Sequence, residues 1–293
     1  MTDNRNLRVA VIGAGQMGRG IAQVAAGAGL DVVLGDVSVS VAEKGKATIA
    51  ASLARLVEKG KIEAAAKDVL LAKITPGGPG DGLDACDLAI EAATEHFETK
   101  VAIFKATDAA LKKGALLATN TSSISVTKLA AKTSRPERVI GMHFMNPVPL
   151  MKLVEVVRGI STSEETVRET VALSERLGKT VVLSNDAPGF MVNRILIPML
   201  CEAAFALQEG VGSAADIDTG ARLGLNHPMG PLELADLIGL DTVLAIAEVL
   251  QTELGDSKYR APTNLKNLVA AGWLGKKTRR GFYTYDDNGA KLG

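Results

Sequence analysis

Residues 7–36 read LRVAVIGAGQMGRGIAQVAAGAGLDVVLGD. The first seven are a short apolar run, rich in Val and Ile, that ends in glycine, as a buried strand of a parallel sheet does. Gly13, Gly15 and Gly18 follow with G-x-G-x-x-G spacing. In that motif the first glycine permits a tight turn, the second lets backbone approach a pyrophosphate, and the third lets the next helix pack closely on the strand. The spacing predicts a helix over 16–28, closed at Gly29, whose N-terminus is an anion site. A second strand over 31–35 then ends at Asp36, where an acid hydrogen-bonds ribose hydroxyls and repels a 2′-phosphate. A lone glycine motif is any glycine turn. Strand, glycines, helix, strand and acid in this order read as the start of an α/β dinucleotide-binding domain, and the acid favours NAD over NADP, although Gly35 leaves space beside it.

Composition sets the outer limits. A chain of 293 residues with 47% hydrophobic content can bury a real core and is long enough for one large or two ordinary domains. Lys+Arg and Asp+Glu are both 33, which does not describe a nucleic-acid or membrane-surface protein. Aromatics at 3% provide no stacking platform for bases. Cys86 and Cys201 lack metal-ligand spacing and read as core thiols of a reducing cytosol. The polar residues 1–6 do not read as a signal peptide, and no apolar run reaches transmembrane length. A cytoplasmic location is expected.

Onward from Asp36, residues 38–68 form a charged, Ala-rich helical stretch, longer than the dozen residues a crossover needs, and predict a helical hairpin turning at Gly60. This insertion is either a plain amphipathic cover or an arm gripping an anionic substrate handle with Ser52, Arg55, Lys59 and Lys61. A strand starts at Ile74, with a Gly/Pro turn over 76–82. Residues 86–95 read as a buried strand that brings Glu91 and Glu95 to the carboxyl edge of the sheet, where open parallel sheets bind ligands. A helix over 98–111 and a strand over 115–119 deliver Asn120, Ser122 and Ser123 to the same edge. Ser125 or Thr127 is placed to cap a short helix. Strands follow over 139–144, carrying His143, and over 153–158, carrying Glu155. A helix spans 164–177 and a last strand 180–184. The pattern breaks at 186–189. Beyond it, helical periodicity covers 190–209, 214–223, 231–252 and 262–271, with apolar faces suited to packing or to a dimer. The basic, aromatic tail that begins at Gly272 is expected to fold back on a neighbour.

Four residues stand out for chemistry. Oxidising an alcohol requires a base for the hydroxyl proton, donors for the oxygen and alignment of the C–H bond. His143 is either a satisfied core histidine or that base, and its place at a strand end beside the cofactor crevice favours the base. Glu155, a lone acid in an apolar run, must find a partner, and His143 is the candidate. Ser122 and Asn193 are suited to bind the oxygens, although Asn193 also reads as a surface residue opening a helix. His96 reads as solvent-facing and His227 as structural. There is no HExxH, paired-cysteine or GxSxG pattern to support a metalloenzyme or hydrolase.

The segments VIGAGQMGRGIA, NTSSIS, GMHFMNPVPLMKLVEVV, DAPGFMVNRIL, LGLNHPMGPLELADLIGLD and GKKTRRGFY together resemble the L-3-hydroxyacyl-CoA dehydrogenases, most closely the compact bacterial 3-hydroxybutyryl-CoA dehydrogenases. The likeness covers essentially the whole chain. It implies a Rossmann-type, mostly parallel sheet with a helical hairpin insertion over 1–186, and an all-helical domain over 187–293 that serves substrate and dimerisation. It implies reversible oxidation of a short-chain (S)-3-hydroxyacyl-CoA by NAD, with His143 as base oriented by Glu155. Ser122 and Asn193 would meet the reacting end of the thioester, and Ser52 and Lys59 would meet CoA. Gly13, Gly15, Gln16, Met17, Gly18 and Asp36, with Glu95, Lys100, Asn120, Ser122, Asn146 and Lys277, would surround NAD. Competing readings are a related dehydrogenase of a free hydroxy acid and a non-catalytic dinucleotide-binding protein. No nucleic acid, membrane or metal is expected.

Overall fold

The apolar runs of the first 187 residues line up as strands of one eight-stranded sheet. This is seen in a computed structural model that describes residues 7–292. The polar segment 1–6, read above as no signal peptide, lies outside the described residues. In chain order the strands are β1 (Arg8–Ile12), β2 (Asp31–Gly35), β3 (Ile74–Gly77), β4 (Leu88–Glu91), β5 (Leu116–Thr119), β6 (Val139–Phe144), β7 (Leu153–Arg158) and β8 (Thr180–Asn185). Their spatial order is β3-β2-β1-β4-β5-β6-β7-β8. The first six run parallel; β7 returns antiparallel to β6, and β8 pairs parallel with β7. The order therefore reverses between β1 and β4, the switch point where doubly wound sheets open a crevice at their carboxyl edge. Both faces are covered, so β4, β5 and β6 are buried throughout.

Crossover helices are α1 (Gln16–Gly27), α4 (Phe97–Ala110), α5 (Val126–Ala130) and α6 (Glu164–Arg176). The insertion forms α2 (Val39–Glu58) and α3 (Ala64–Ala72), a hairpin that turns around Gly60. The core of this unit joins Val9, Val11, Ile21, Leu34 and Ile90 to Ile140, Met142 and Val156.

Two boundaries differ from expectation. Pro76 and Gly77 belong to β3 rather than to the turn after it; β3 is an edge strand, where a missing N–H costs least. The stretch 86–95 yields only four strand residues, because beyond Glu91 the chain folds back and Ala93 N donates to the Glu91 carboxylate at 2.6 Å.

From Pro188 the chain forms a second unit, built from α7 (Val192–Gln208), α8 (Ala214–Gly224), α9 (Pro231–Ile238), α10 (Leu240–Leu254) and α11 (Thr263–Ala270). Ile197, Leu200, Leu240, Val243, Ala247 and Leu265 make its core. The single helix expected over 231–252 is two. The break is Gly239, whose φ of 103° has left helical space, a conformation that glycine supplies without a Cβ penalty.

The tail also adds non-helical structure, a short hairpin of β9 (Thr284–Tyr285) and β10 (Lys291–Leu292). Its neighbour is α9 of the same unit. The fully buried Asp236 accepts from Phe282 N, Tyr283 N and Tyr285 Oη at 2.9, 2.9 and 2.8 Å.

Cys86 and Cys201 are buried free thiols, each pushed up to about 11 chiefly by burial. Among the described residues, no helix is long and apolar enough to cross a membrane. Nor does any group of three or more His, Cys, Asp or Glu side chains among them make a metal site.

Candidate active site

The carboxyl edge of the sheet carries three constructions, each made by the end of a different strand pair. The first is the glycine turn between β1 and α1. Gly13 N donates to Gly35 O at 2.8 Å, and Gly13 has a φ of 111°. A Cβ on Gly18 would lie 1.7 Å from the Gly13 carbonyl oxygen, whereas one on Gly15 would meet nothing within 4 Å. The turn is therefore closed on its inner side and open at Gly15. No side chain caps α1, and its first turn holds no acid. Uncapped N–H groups, positive helix dipole and open space together fit a dinucleotide diphosphate. Gln16 and Met17 stand at this opening. Asp36 reaches back to the turn, accepting from Ala14 N at 2.6 Å and Val37 N at 2.7 Å.

The second construction joins β4 to β5. Glu91, with no exposed surface, accepts Lys100 Nζ on both oxygens at 2.7 and 2.9 Å, and Thr119 Oγ1 at 2.7 Å. Lys100 is itself only 1% exposed and lies 3.4 Å from Glu95. Where the resemblance implied a cofactor contact, Lys100 stands behind the edge with its ammonium engaged by acids.

Glu95 holds the turn after β5. Its Oε1 accepts Thr121 Oγ1 at 2.5 Å, Ser122 N at 2.7 Å and Ser123 N at 3.0 Å. Burial works against its charge, but Lys100 and these hydrogen bonds prevail and hold the carboxyl below its ordinary range. Asn120 is buried, and its side-chain oxygen accepts Phe144 N at 2.9 Å. It braces β6 from β5.

The third construction is the antiparallel pair β6–β7, whose register sets His143 directly opposite Glu155. Cross-strand neighbours have Cβ atoms about 5 Å apart, so the ladder itself brings the side chains together. His143 Nδ1 and Glu155 Oε2 are 2.7 Å apart, with His143 6% exposed and Glu155 fully buried. The connection from β6 to β7 carries Asn146, which accepts Gln16 Nε2 at 2.9 Å. Lys179 anchors the same connection, its buried ammonium donating to Val148 O at 2.6 Å and Met151 O at 2.8 Å.

The remaining predicted residues lie elsewhere on the elements. Ser52 and Lys59 are solvent-exposed on the hairpin arm, Lys59 just past the end of α2. Asn193 belongs to the second unit and opens α7 as a buried side chain, not a surface one. Lys277, also of that unit, binds both oxygens of Asp241 at 2.6 and 2.7 Å.

His96 is exposed, as expected, but its ring also caps α4. Ser125 is the cap of α5. Asp186, read only as part of the domain break, accepts Ser125 Oγ, Val126 N and Thr127 N. Sequence reasoning missed the Lys179 clamp and the centrality of Glu91. Glu91 had the same visible signal as Glu155, an acid inside an apolar run.

The domain family described as 3-hydroxyacyl-CoA dehydrogenase, NAD binding domain, matches residues 8–187, and its C-terminal domain counterpart matches residues 189–285. The chain belongs to the 3-hydroxyacyl-CoA dehydrogenase family. Among relatives of this dehydrogenase, the 3-hydroxybutyryl-CoA dehydrogenase of Bradyrhizobium diazoefficiens is 55% identical over 284 residues, covering 97% of this chain and 96% of that one. A probable 3-hydroxybutyryl-CoA dehydrogenase of Bacillus subtilis is 51% identical, covering 96% and 98%. The crystal structure of (S)-3-hydroxybutyryl-CoA dehydrogenase from Ralstonia eutropha superposes with a TM-score of 0.93 at 52% identity, covering 97% of this chain and 100% of that one.

Proposed function

We propose that this dehydrogenase oxidises (S)-3-hydroxybutyryl-CoA to acetoacetyl-CoA with NAD, and runs in reverse when NADH and the keto thioester are supplied. The observation that carries the reading is the His143–Glu155 pair, a nearly buried imidazole held by a fully buried carboxylate at 2.7 Å. With Nδ1 donating to Glu155, Nε2 is the nitrogen that takes the proton of the C3 hydroxyl. The negative Glu155 favours the imidazolium that results. NAD, when bound, supplies uptake of the hydride from C3. In the reverse direction protonated His143 returns its proton to the C3 oxygen as the alcohol forms.

The other residues take supporting roles. Ser122, on the turn that Glu95 holds, and Asn193, at the start of α7, donate to the oxygens of the reacting end. Ser52 and Lys59 on the arm meet the CoA handle. Gly13, Gly15, Gln16, Met17, Gly18 and Asp36 receive the adenosine diphosphate half of NAD, and Asp36 disfavours a 2′-phosphate. Glu95, Asn120, Asn146 and Lys277 serve the nicotinamide half, with Lys100 acting through Glu95. The helical unit from Pro188 takes the substrate and homodimerisation roles, and the protein works in the cytoplasm.

The test is loss of NADH on mixing the protein with acetoacetyl-CoA, with NADPH and free acetoacetate as parallel arms. Rapid loss only with NADH and the thioester is expected. Equal rates with free acetoacetate would replace the CoA reading by that of a free-acid dehydrogenase, and equal rates with NADPH would remove the role given to Asp36.

A further inference from the structure

We infer that Glu91 is the positioning residue of the active-site edge: its carboxylate sets the Ser122 turn through Lys100 and Glu95, and its carbonyl braces the His143 strand through Asn120. The inference rests on the reading of Ser122 and His143 as parts of the reacting site.

Two routes leave the same residue. The side-chain route runs from the Glu91 carboxylate to Lys100 Nζ at 2.7 and 2.9 Å, and from there to Glu95 Oε2 at 3.4 Å. It ends where Glu95 Oε1 accepts from Thr121 Oγ1, Ser122 N and Ser123 N. The main-chain route runs from Glu91 O, which accepts Asn120 N at 2.7 Å, to the Asn120 side-chain oxygen, which accepts Phe144 N next to His143.

Stability alone does not account for the pair at the centre. Glu91 and Lys100 have 0% and 1% of their side chains exposed, and an apolar pair of similar volume is often as stable as a buried ion pair, or more so. An apolar pair could not bring a cation to Glu95. Without that cation Glu95 Oε2 loses its charged partner, and only the Thr121–Ser123 donors on Oε1 remain to place the carboxylate that holds the turn. Every oxygen of Glu91 is also committed: Oε1 takes Ala93 N as well as Lys100, and Oε2 takes Thr119 Oγ1. The carboxylate therefore has one available position, and passes it on.

The experiment compares wild type with Glu91→Gln and with Glu91→Gln/Lys100→Met. The double variant is included because the single one leaves the buried ammonium facing one Glu91 side-chain oxygen where it had two. Backbone amide resonances are recorded on the ligand-free proteins, with folding established by circular dichroism. Displaced Ser122 and Ser123 amides in whichever variant folds are expected, with Gly13 to Gly18 at their wild-type positions. In the same protein kcat/KM for acetoacetyl-CoA should fall on the order of tenfold to 100-fold. Ser122 and Ser123 amides at wild-type positions in a folded variant would overturn the inference and leave the ion pair as packing. A wild-type protein inactive on the thioester would instead sink the proposed reaction, and the amide positions would still decide whether Glu91 holds the turn.

Discussion

At the scale of the residue, the decisive feature is a titratable ring whose orientation is built into a strand ladder. His143 needs no flexible second element to find Glu155, because the β6–β7 register already sets them opposite. General acid–base catalysis contributes about 100- to 10,000-fold. His143→Ala is therefore expected to lose turnover in that range while NADH titrated by its fluorescence still binds. Glu155→Gln keeps the shape and removes the charge, so it should lose less in the same direction. Wild-type turnover in His143→Ala would end the assignment of the base, and in Glu155→Gln that of its orienting partner.

Elements bring the separate constructions together. The β6–β7 connection is seated on α1, the helix that opens the dinucleotide site. A Cβ on Gly20 would lie 2.7 Å from Val148 Cβ and 3.4 Å from Pro149 Cδ, and Gln16 bonds Asn146 just beside them. Two effects compete in Gly20→Ala. Helix propensity would gain about 1 kcal/mol, while forcing a methyl against a β-branched side chain in a full core costs about 1–3 kcal/mol. The contact is with Cβ, which cannot swing away, so the clash wins. The variant should unfold at lower urea concentration than wild type. A higher midpoint would mean that the connection yields freely and does not tie β6 and β7 to α1.

For the whole molecule, the two units should answer acid differently. In the first, burial works against Glu95 and Asp108. Lys100 and the Thr121–Ser123 turn hold Glu95 low, and Ser134 and Arg135 hold Asp108 low. Carboxyls with lowered folded values contribute stability that is present above about pH 4 and is lost as pH falls through those values. In the second unit Asp241 is lowered in the same sense despite its burial, by Lys277. Asp236 has the opposite sign: burial raises it above its ordinary range against the pull of its hydrogen bonds from the tail. Its penalty is present at neutral pH and is relieved as pH falls through the raised value. Losses add in the first unit and offset in the second. Trp273 is the sole tryptophan and lies in the second unit, so its fluorescence reports that unit while far-ultraviolet circular dichroism reports both. Between pH 5 and pH 3, the urea midpoint by circular dichroism should fall further than the midpoint by Trp273 fluorescence. Coincident midpoints at every pH would contradict this assignment.

Local chemistry determined much of this protein directly from its sequence. The glycine spacing, the apolar runs of β1, β2, β6 and β7 and the acid ending β2 act over a few residues, where turn geometry and alternation are legible. The same locality made Glu155 conspicuous, since an acid among valines has to be paired. Only the tertiary structure decided which partners meet. Glu91 and Thr119 are far apart in the chain, as are Lys179 and Val148, and no period or propensity relates them; strand order and register do. The break at Gly239 was invisible for a related reason. An apolar helical pattern continues straight through 231–252, and a single backbone angle, set by how the segments on either side pack, divides it.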